Sequence, residues 1–583
     1  MADPHGTMTH PSLWLDKSFK DVLTYLTDTV INRFVQTYAA YSRMIIMSGS
    51  IQIRTIALIL KITYLYIMKI YRKLISLKTI SALSTDEAIE HIGLLTDAAS
   101  RCQKKKGLHQ ALSLSNEIRK GNLTIAQQAI LNYHTSNIWG NLHKLQLTSE
   151  TDNWEQMEIE KQLFYLRRSV IAVKQDDFRE LTSVQVCPIY TNLAAALYQI
   201  GRFVEAIEYW NKALDIKPDF SMAKGNRGLG LIHYAHALYD DDHALLFLRQ
   251  ARDDLKSALE SGVERQAEPV FQNYFHDLEH ALSSEAMPHI NSHVQPNIPG
   301  KTEEEINYRT WCLEYRLFLN PLNDLGTFPS AASDLLCTPS IIMEKGETPY
   351  FHGFYNQIKQ EYVSARWLYY DGITSQAQHF SDSHVLLLNT LDYPVYGLAA
   401  EKIKISFRML YSLFDKIAFF LNRYMPLSIK EKKVHFRTFW YENHTRTNTL
   451  RKTLELSENW PLRGLFWLSK DLYEDRDGFK EALEPDAREL LAIRNHLEHK
   501  YLKYHEPPEK LPYSNDNSES FGFSIHRKDF EIKVLRILKM VRAALIYLAL
   551  AIHSEEKRRL EQRKASQPIQ VVELPFINDD RKM

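Results

Sequence analysis

The stretch from Tyr190 to Pro218, YTNLAAALYQIGRFVEAIEYWNKALDIKP, leaves this chain little choice of architecture. Tyr190, Leu193, Ala194 and Leu197 fall on one face of a first helix. Gly201 supplies a turn, and Phe203, Ala206, Trp210 and Ala213 line a second helix. Pro218 stands where that second helix must stop. Ala194, Ala206 and Ala213 are small at positions where two helices approach closely. Such a hairpin cannot bury its apolar face alone, so at least three stacked helical hairpins are expected. The composition agrees: 20 Gly and 21 Pro in 583 residues favour long helices over turn-rich β-structure. A chain of that length also exceeds one hydrophobic core, and about two to four domains are expected.

The hairpin resembles a tetratricopeptide repeat (TPR), with Tyr190, Gly201, Ala206, Trp210, Ala213 and Pro218 as its packing positions. Ala194 stands where that repeat usually has Gly. A further unit runs from Ser221 through Ala258, with Gly228 in place and a connection through Asp240–Asp242. Ala126–Leu142 reads as an earlier, degenerate unit. The expected order is hydrophobic helices at 1–85, TPR-like repeats at 86–282, and a Pro/Gly-containing linker at 283–300. A connecting subdomain at 301–395, a helical bundle at 396–565 and a tail at 566–583 follow. The fold class is all-α. The repeats read either as scaffolding or as a groove for a peptide or protein trigger.

Several function classes are excluded or weakened. The formal net charge is zero, so contact with nucleic acid requires a local patch. Cys102, Cys187, Cys312 and Cys337 form no CxxC pair, which fits a reducing cytoplasm better than a zinc ribbon or disulfide framework. The apolar run Thr55–Met68 is broken by Lys61 and is shorter than the roughly 20 residues of a membrane span. It reads as a buried or interface helix, and no integral membrane span is expected. His496 and His499, three apart with no third ligand nearby, make a poor metal pair. No metal and no cofactor are expected.

In the carboxy-terminal bundle a long helix is expected over Leu398–Met425. Further helices are expected near 447–458 and 462–473, then one from after Asp486 to about Tyr504, and a last one over Lys528–Arg563. The fourth is the informative one. At 100° per residue, Leu490, Ile493, Leu497 and Tyr501 form a core face. Leu491, Ala492, Asn495, His499 and Leu502 form a second face, with Arg494 and Glu498 between. A bundle helix needs one apolar stripe; the second asks for another partner, and a second subunit is the simplest. Between bundle and repeats, Asn320 and Asp324 read as turn and cap residues around Pro321. Lys359, Glu361 and Arg366 read as a solvated helix face or a pocket lining.

Arg494-Asn495 followed by His499 is similar to the motif of the HEPN superfamily (higher eukaryotes and prokaryotes nucleotide-binding). The surrounding stretches resemble one bacterial HEPN family found downstream of TPR repeats: LFLNPLND (317–324), IKQEYVSARWLYY (358–370), NTLDYPVY (389–396), SFRMLYSLFDKIAFFLNRY (406–424) and AIRNHLEHKYLK (492–503). The resemblance implies metal-independent RNA cleavage by 2′-hydroxyl attack, giving a 2′,3′-cyclic phosphate and a 5′-hydroxyl. His499 would do the acid–base work, Arg494 would offset charge on the phosphate, and Asn495 would orient the His or hydrogen-bond the phosphate. It also implies a homodimer or higher homo-oligomer sharing a composite site, and a toxin or anti-phage defence effector whose TPR region senses or restrains. Lys500, Lys503, Arg536 and Lys539 are candidate RNA contacts, with Arg542 another. The alternative from the same residues is a non-catalytic dimeric scaffold that uses both modules for binding.

Overall fold

The computed structural model describes residues 64–146, 154–282, 298–472, 487–506, 522–563 and 574–582, except positions 178, 299, 344–345, 391, 426, 428, 443–448 and 456. Most of the amino-terminal helices expected over 1–85, nearly all of the linker, and part of the tail lie outside these residues. The described residues are mostly helical, and no described helix is long and apolar enough to cross a membrane. The chain divides into two compact units, residues 1–151 with 171–180, and 152–170 with 181–583. The repeat region expected over 86–282 is therefore distributed over both.

In the first unit, α1 (Thr85–Arg101), α2 (Lys105–Ile118) and α3 (Ile125–Lys144) pack on one another. Capping boxes start α1 and α3: Ser84 with Glu87, and Thr124 with Gln127. Ile92, Leu95, Ala99, Leu108, Leu131 and Ile138 form the core. Ala126–Leu142 is thus helical and belongs to this unit.

The second unit opens with α4 (Met157–Asp176), of which it holds the residues to Val170. The repeat hairpin follows as α5 (Ser183–Gln199) and α6 (Phe203–Ile216). A second hairpin is α7 (Ser221–Ala237) and α8 (Asp241–Ser261), with α9 (Glu268–Ala281) packed on α8. Tyr190, Ala206, Trp210 and Ala213 are buried, and Gly201 takes φ +84° at the turn. Pro218 is exposed beyond α6.

After α10 (Glu303–Glu314) the chain enters a buried polar knot. The Asn320 carboxamide accepts the Leu322 N–H, and Asn323 donates to the Leu313 carbonyl. Asp324 is an ion-pair partner rather than the expected cap: it takes Arg542 Nη1 at 2.6 Å and the Tyr234 hydroxyl at 3.0 Å. Then come α11 (Tyr350–Thr374), α12 (Leu398–Tyr424), α13 (Trp460–Ser469), α14 (Ala487–His499) and α15 (Arg527–Gln562). Helix α12 packs along α11 and α15, and α15 also packs on α13. Asn459 caps α13 through Leu462 N–H, Pro461 fits its first turn, and the Asn459 amide donates to Ala551 of α15. Near 447–458 only the short turn Lys452–Glu455 is helical among the described residues.

One expectation is corrected. The fourth bundle helix ends at His499, not near Tyr504. β1 (Tyr501–His505) follows it and pairs in parallel with β2 (Gly522–His526), Tyr501 opposite Gly522 and His505 opposite His526. The reason is local: along Tyr501–Tyr504 burial alternates with period two, Leu502 and Tyr504 inward. Aromatic residues favour that pleated setting, and Val395 N–H adds a bond to the Tyr504 carbonyl at 2.6 Å.

Repeat and bundle meet through glycine and buried charge. A β-carbon on Gly464 of α13 would stand 2.3 Å from the Gly201 carbonyl oxygen. Just beyond α13, Asp471 is 1% exposed. Its carboxylate receives Arg167 at 2.7 and 2.9 Å and Arg202 at 2.5 Å. Neighbouring Lys470, fully buried, reaches Glu155 at 2.7 Å and Glu160 at 2.6 Å. Burial alone would raise the Asp471 pKa, but the guanidiniums of Arg167 and Arg202 outweigh it and hold the carboxyl below its usual range.

Unfolding experiments test these contacts in four ways. Asp471→Asn takes the carboxylate charge from between the buried guanidiniums of Arg167 and Arg202 and should cost about 3–5 kcal/mol. The Asp471 contribution should be present above the unfolded carboxyl pKa near 4, and lost as pH falls through the lower folded value; Asp471→Asn should remove that part of the acid sensitivity. Gly464→Ala should cost about 1–3 kcal/mol by overpacking. Gly353→Ala, on an exposed face of α11 with nothing within 4 Å of the new carbon, should gain about 1 kcal/mol.

Candidate active site

Leu490, Ile493 and Leu497 are buried and hold α14 to the bundle, as their spacing demands. This orientation fixes the rest of the helix. Arg494 and Asn495 are half-buried, and His499 is exposed as the last helical residue. Arg494 Nη1 donates to Asn495 Oδ1 at 3.1 Å. Asn495 and His499, four apart, lie on adjoining helix surface. Arg494 and His499 are separated by about 140° around the axis and about 7.5 Å along it. His496 also lies inside the motif. It is buried, its Nδ1 lies 2.7 Å from the Ala492 carbonyl oxygen, and its ring sits beside Phe523 of β2.

Arg494 opens onto a cleft of about 490 Å³ between α12 and α14. Phe354, Arg408, Tyr411, Asp415, Lys416 and Phe419 form much of its lining, with Glu498 beside Arg494. Arg408 donates to the Leu497 carbonyl, one of the last in α14, so it also steadies the end of the helix that carries His499. Lys416 is paired with Glu361.

The expected RNA contacts are spread out. Lys500 is exposed next to His499. Lys503 lies on β1 and pairs with Asp392. Lys539 pairs with Glu208 of α6 at 2.9 Å, Arg536 is half-buried and lowers the Asp471 pKa, and Arg542 is buried against Asp324. Arg366 is neither solvated nor pocket-lining: it is 1% exposed, bonded to Asp334 at 2.7 and 2.9 Å. Burial would raise the Asp334 carboxyl, and Arg366 pulls it below its usual range. Lys359 donates to the Leu336 carbonyl at 2.8 Å.

Sequence reading missed the cleft and Arg408. The available signal was the spacing of Arg408, Ser412 and Asp415, a polar stripe on a helix read mainly for its apolar face.

Residues 342–555 match the LA2681-like HEPN family, and residues 188–220 match the tetratricopeptide repeat. The carboxy-terminal part is an LA2681-like HEPN domain. The matched span takes in α11, which the sequence had suggested for the connecting segment, and all of α12 to β2. No curated protein and no solved structure matches the chain. Among the described residues the exposed His499 side chain makes no hydrogen bond or ion pair, and half-buried Arg494 bonds its neighbour Asn495. His499→Ala should therefore leave the unfolding free energy within about 0.5 kcal/mol of wild type, measured by denaturant titration. A larger loss would show that the imidazole is structural.

Proposed function

We propose that this HEPN domain is a regulated, metal-independent endoribonuclease centred on Arg494, Asn495 and His499. The observation that carries the reading is their placement on α14. His499 is exposed at the helix end, Asn495 adjoins it and holds Arg494, and Arg494 opens into a cleft. The substrate supplies its own nucleophile. The RNA 2′-oxygen attacks the adjacent phosphorus as an imidazole at 499 takes its proton. The P–O5′ bond breaks, and the leaving 5′-oxygen receives a proton from an imidazolium. Arg494 offsets the charge on the non-bridging oxygens. The products are a 2′,3′-cyclic phosphate and a 5′-hydroxyl.

The separation of Arg494 and His499 around one helix favours a site built from two copies of α14, each giving part of the set. A homodimer or higher assembly through the HEPN domain follows from this reading. Restraint by the repeats has a physical route as well. The segment Lys470–Leu472 packs against α14 while Asp471 holds Arg202 at the hairpin turn. A peptide or protein that shifts the hairpin would act on the helix carrying the site. Such a switchable nuclease suits a toxin or anti-phage effector acting on RNA or tRNA.

Expression in bacteria, with and without phage infection, tests this reading. Wild type should arrest growth under at least one condition, and Arg494→Ala and His499→Ala should not. Equal growth of all three strains contradicts it. Light scattering should return at least a dimer; a strict monomer removes the composite site.

A further inference from the structure

The cleft beside Arg494 has walls that the cleavage chemistry leaves unused. Phe354 of α11 and Tyr411 and Phe419 of α12 are half-buried in it. Phe419 stands edge-on to Phe354, centroids 5.9 Å apart, and Tyr411 rests against Phe407 at 6.0 Å. Packing thus fixes these rings before any ligand arrives. Arg408 and Ser412, one turn apart and exposed, line the same cleft. Arg408 gives an N–H to Leu497, and a guanidinium has five. Lys416 is engaged by Glu361, and Asp415 accepts the Phe436 N–H at 2.9 Å. Glu498 is exposed. The cleft presents two guanidiniums, Arg408 and Arg494, and two carboxylates, Asp415 and Glu498, among aromatic rings.

We propose that this cleft takes one unpaired nucleotide of the RNA, next to the scissile phosphate. The base lies against the Tyr411 and Phe419 rings, and its phosphate is held by Arg408 with Arg494. The substrate class is therefore single-stranded RNA or an unpaired loop, and the inference rests on the nuclease reading of Arg494 and His499. Three features select unpaired RNA over duplex. Only a splayed base can offer its face to an aromatic side chain. A volume of about 490 Å³ is that of a small-ligand site, with room for a nucleotide but not a helix. A surface that tracks duplex phosphates needs a row of cations, and here Asp415 and Glu498 interrupt it; those carboxylates suit base amino groups instead.

The test is fluorescence-anisotropy titration of the full chain carrying His499→Ala, so that no RNA is cut. The probes are an unstructured RNA oligonucleotide and the same sequence as a duplex. The single strand should bind at least about tenfold tighter. Arg408→Gln, Tyr411→Leu and Ser412→Glu in that background should each weaken single-strand binding about tenfold. Ser412 is exposed, so Ser412→Glu alters the cleft with the fold intact, checked by an unchanged unfolding midpoint. Equal affinity for strand and duplex, or full affinity in both Ser412→Glu and Arg408→Gln, overturns the proposal. Strand-selective binding by a protein whose wild type cuts no RNA supports the cleft and sinks the nuclease reading. Cleavage without strand preference does the reverse.

Discussion

One buried carboxylate, Asp471, is what the second unit is organised around. Two guanidiniums from different helices, Arg167 of α4 and Arg202 at the repeat turn, converge on it. A buried charge of this kind is tolerable only when every partner is in place. Residues just before it are committed too, Lys470 to two glutamates and Gly464 to the Gly201 turn. Tyr547 of α15 completes the junction by donating to Glu205 and accepting the Val204 N–H at 3.1 Å. The repeat is thereby a fixed part of the HEPN domain's surroundings rather than a module on a tether.

That junction bears on the site because Lys470–Leu472 also touches α14. The helix is held from three directions: its apolar face on the bundle, its final carbonyls by Arg408, and its flank by the Lys470–Leu472 turn. What stays outside these contacts is the group that a chemical role needs outside, His499, together with the Arg494 edge of the cleft. The proposed nuclease chemistry and its proposed control thus draw on a single element.

Much of this was legible in the sequence, and for identifiable reasons. The hairpin at 190–218 announced itself because small residues and one glycine recur where helices must touch. The long helices expected over Leu398–Met425 and Lys528–Arg563 are present as α12 and α15, the first legible from its helical period even though Asp415 and Lys416 break into the apolar run. The core face of α14 followed from Leu490, Ile493 and Leu497. The end of that helix was misjudged because Tyr501 and Leu502 continue an apolar pattern that helix and strand share over a few residues; pairing with Gly522–His526 decided it. Partners distant in sequence were out of reach: Arg202 with Asp471, Asp324 with Arg542, Arg366 with Asp334. Arginines and aspartates that read as surface or cap residues are buried in pairs, and no local spacing says so. The cleft was missed for the same reason, since Arg408 and Arg494 meet only in three dimensions.

The central claim concerns bond chemistry at one phosphate. It is tested most directly by incubating purified chain with RNA in excess chelator and identifying the new ends. The account predicts 2′,3′-cyclic phosphate and 5′-hydroxyl termini from wild type and none from His499→Ala. Fragments bearing 3′-hydroxyl and 5′-phosphate ends, or equal cleavage by the His499→Ala protein, would contradict it.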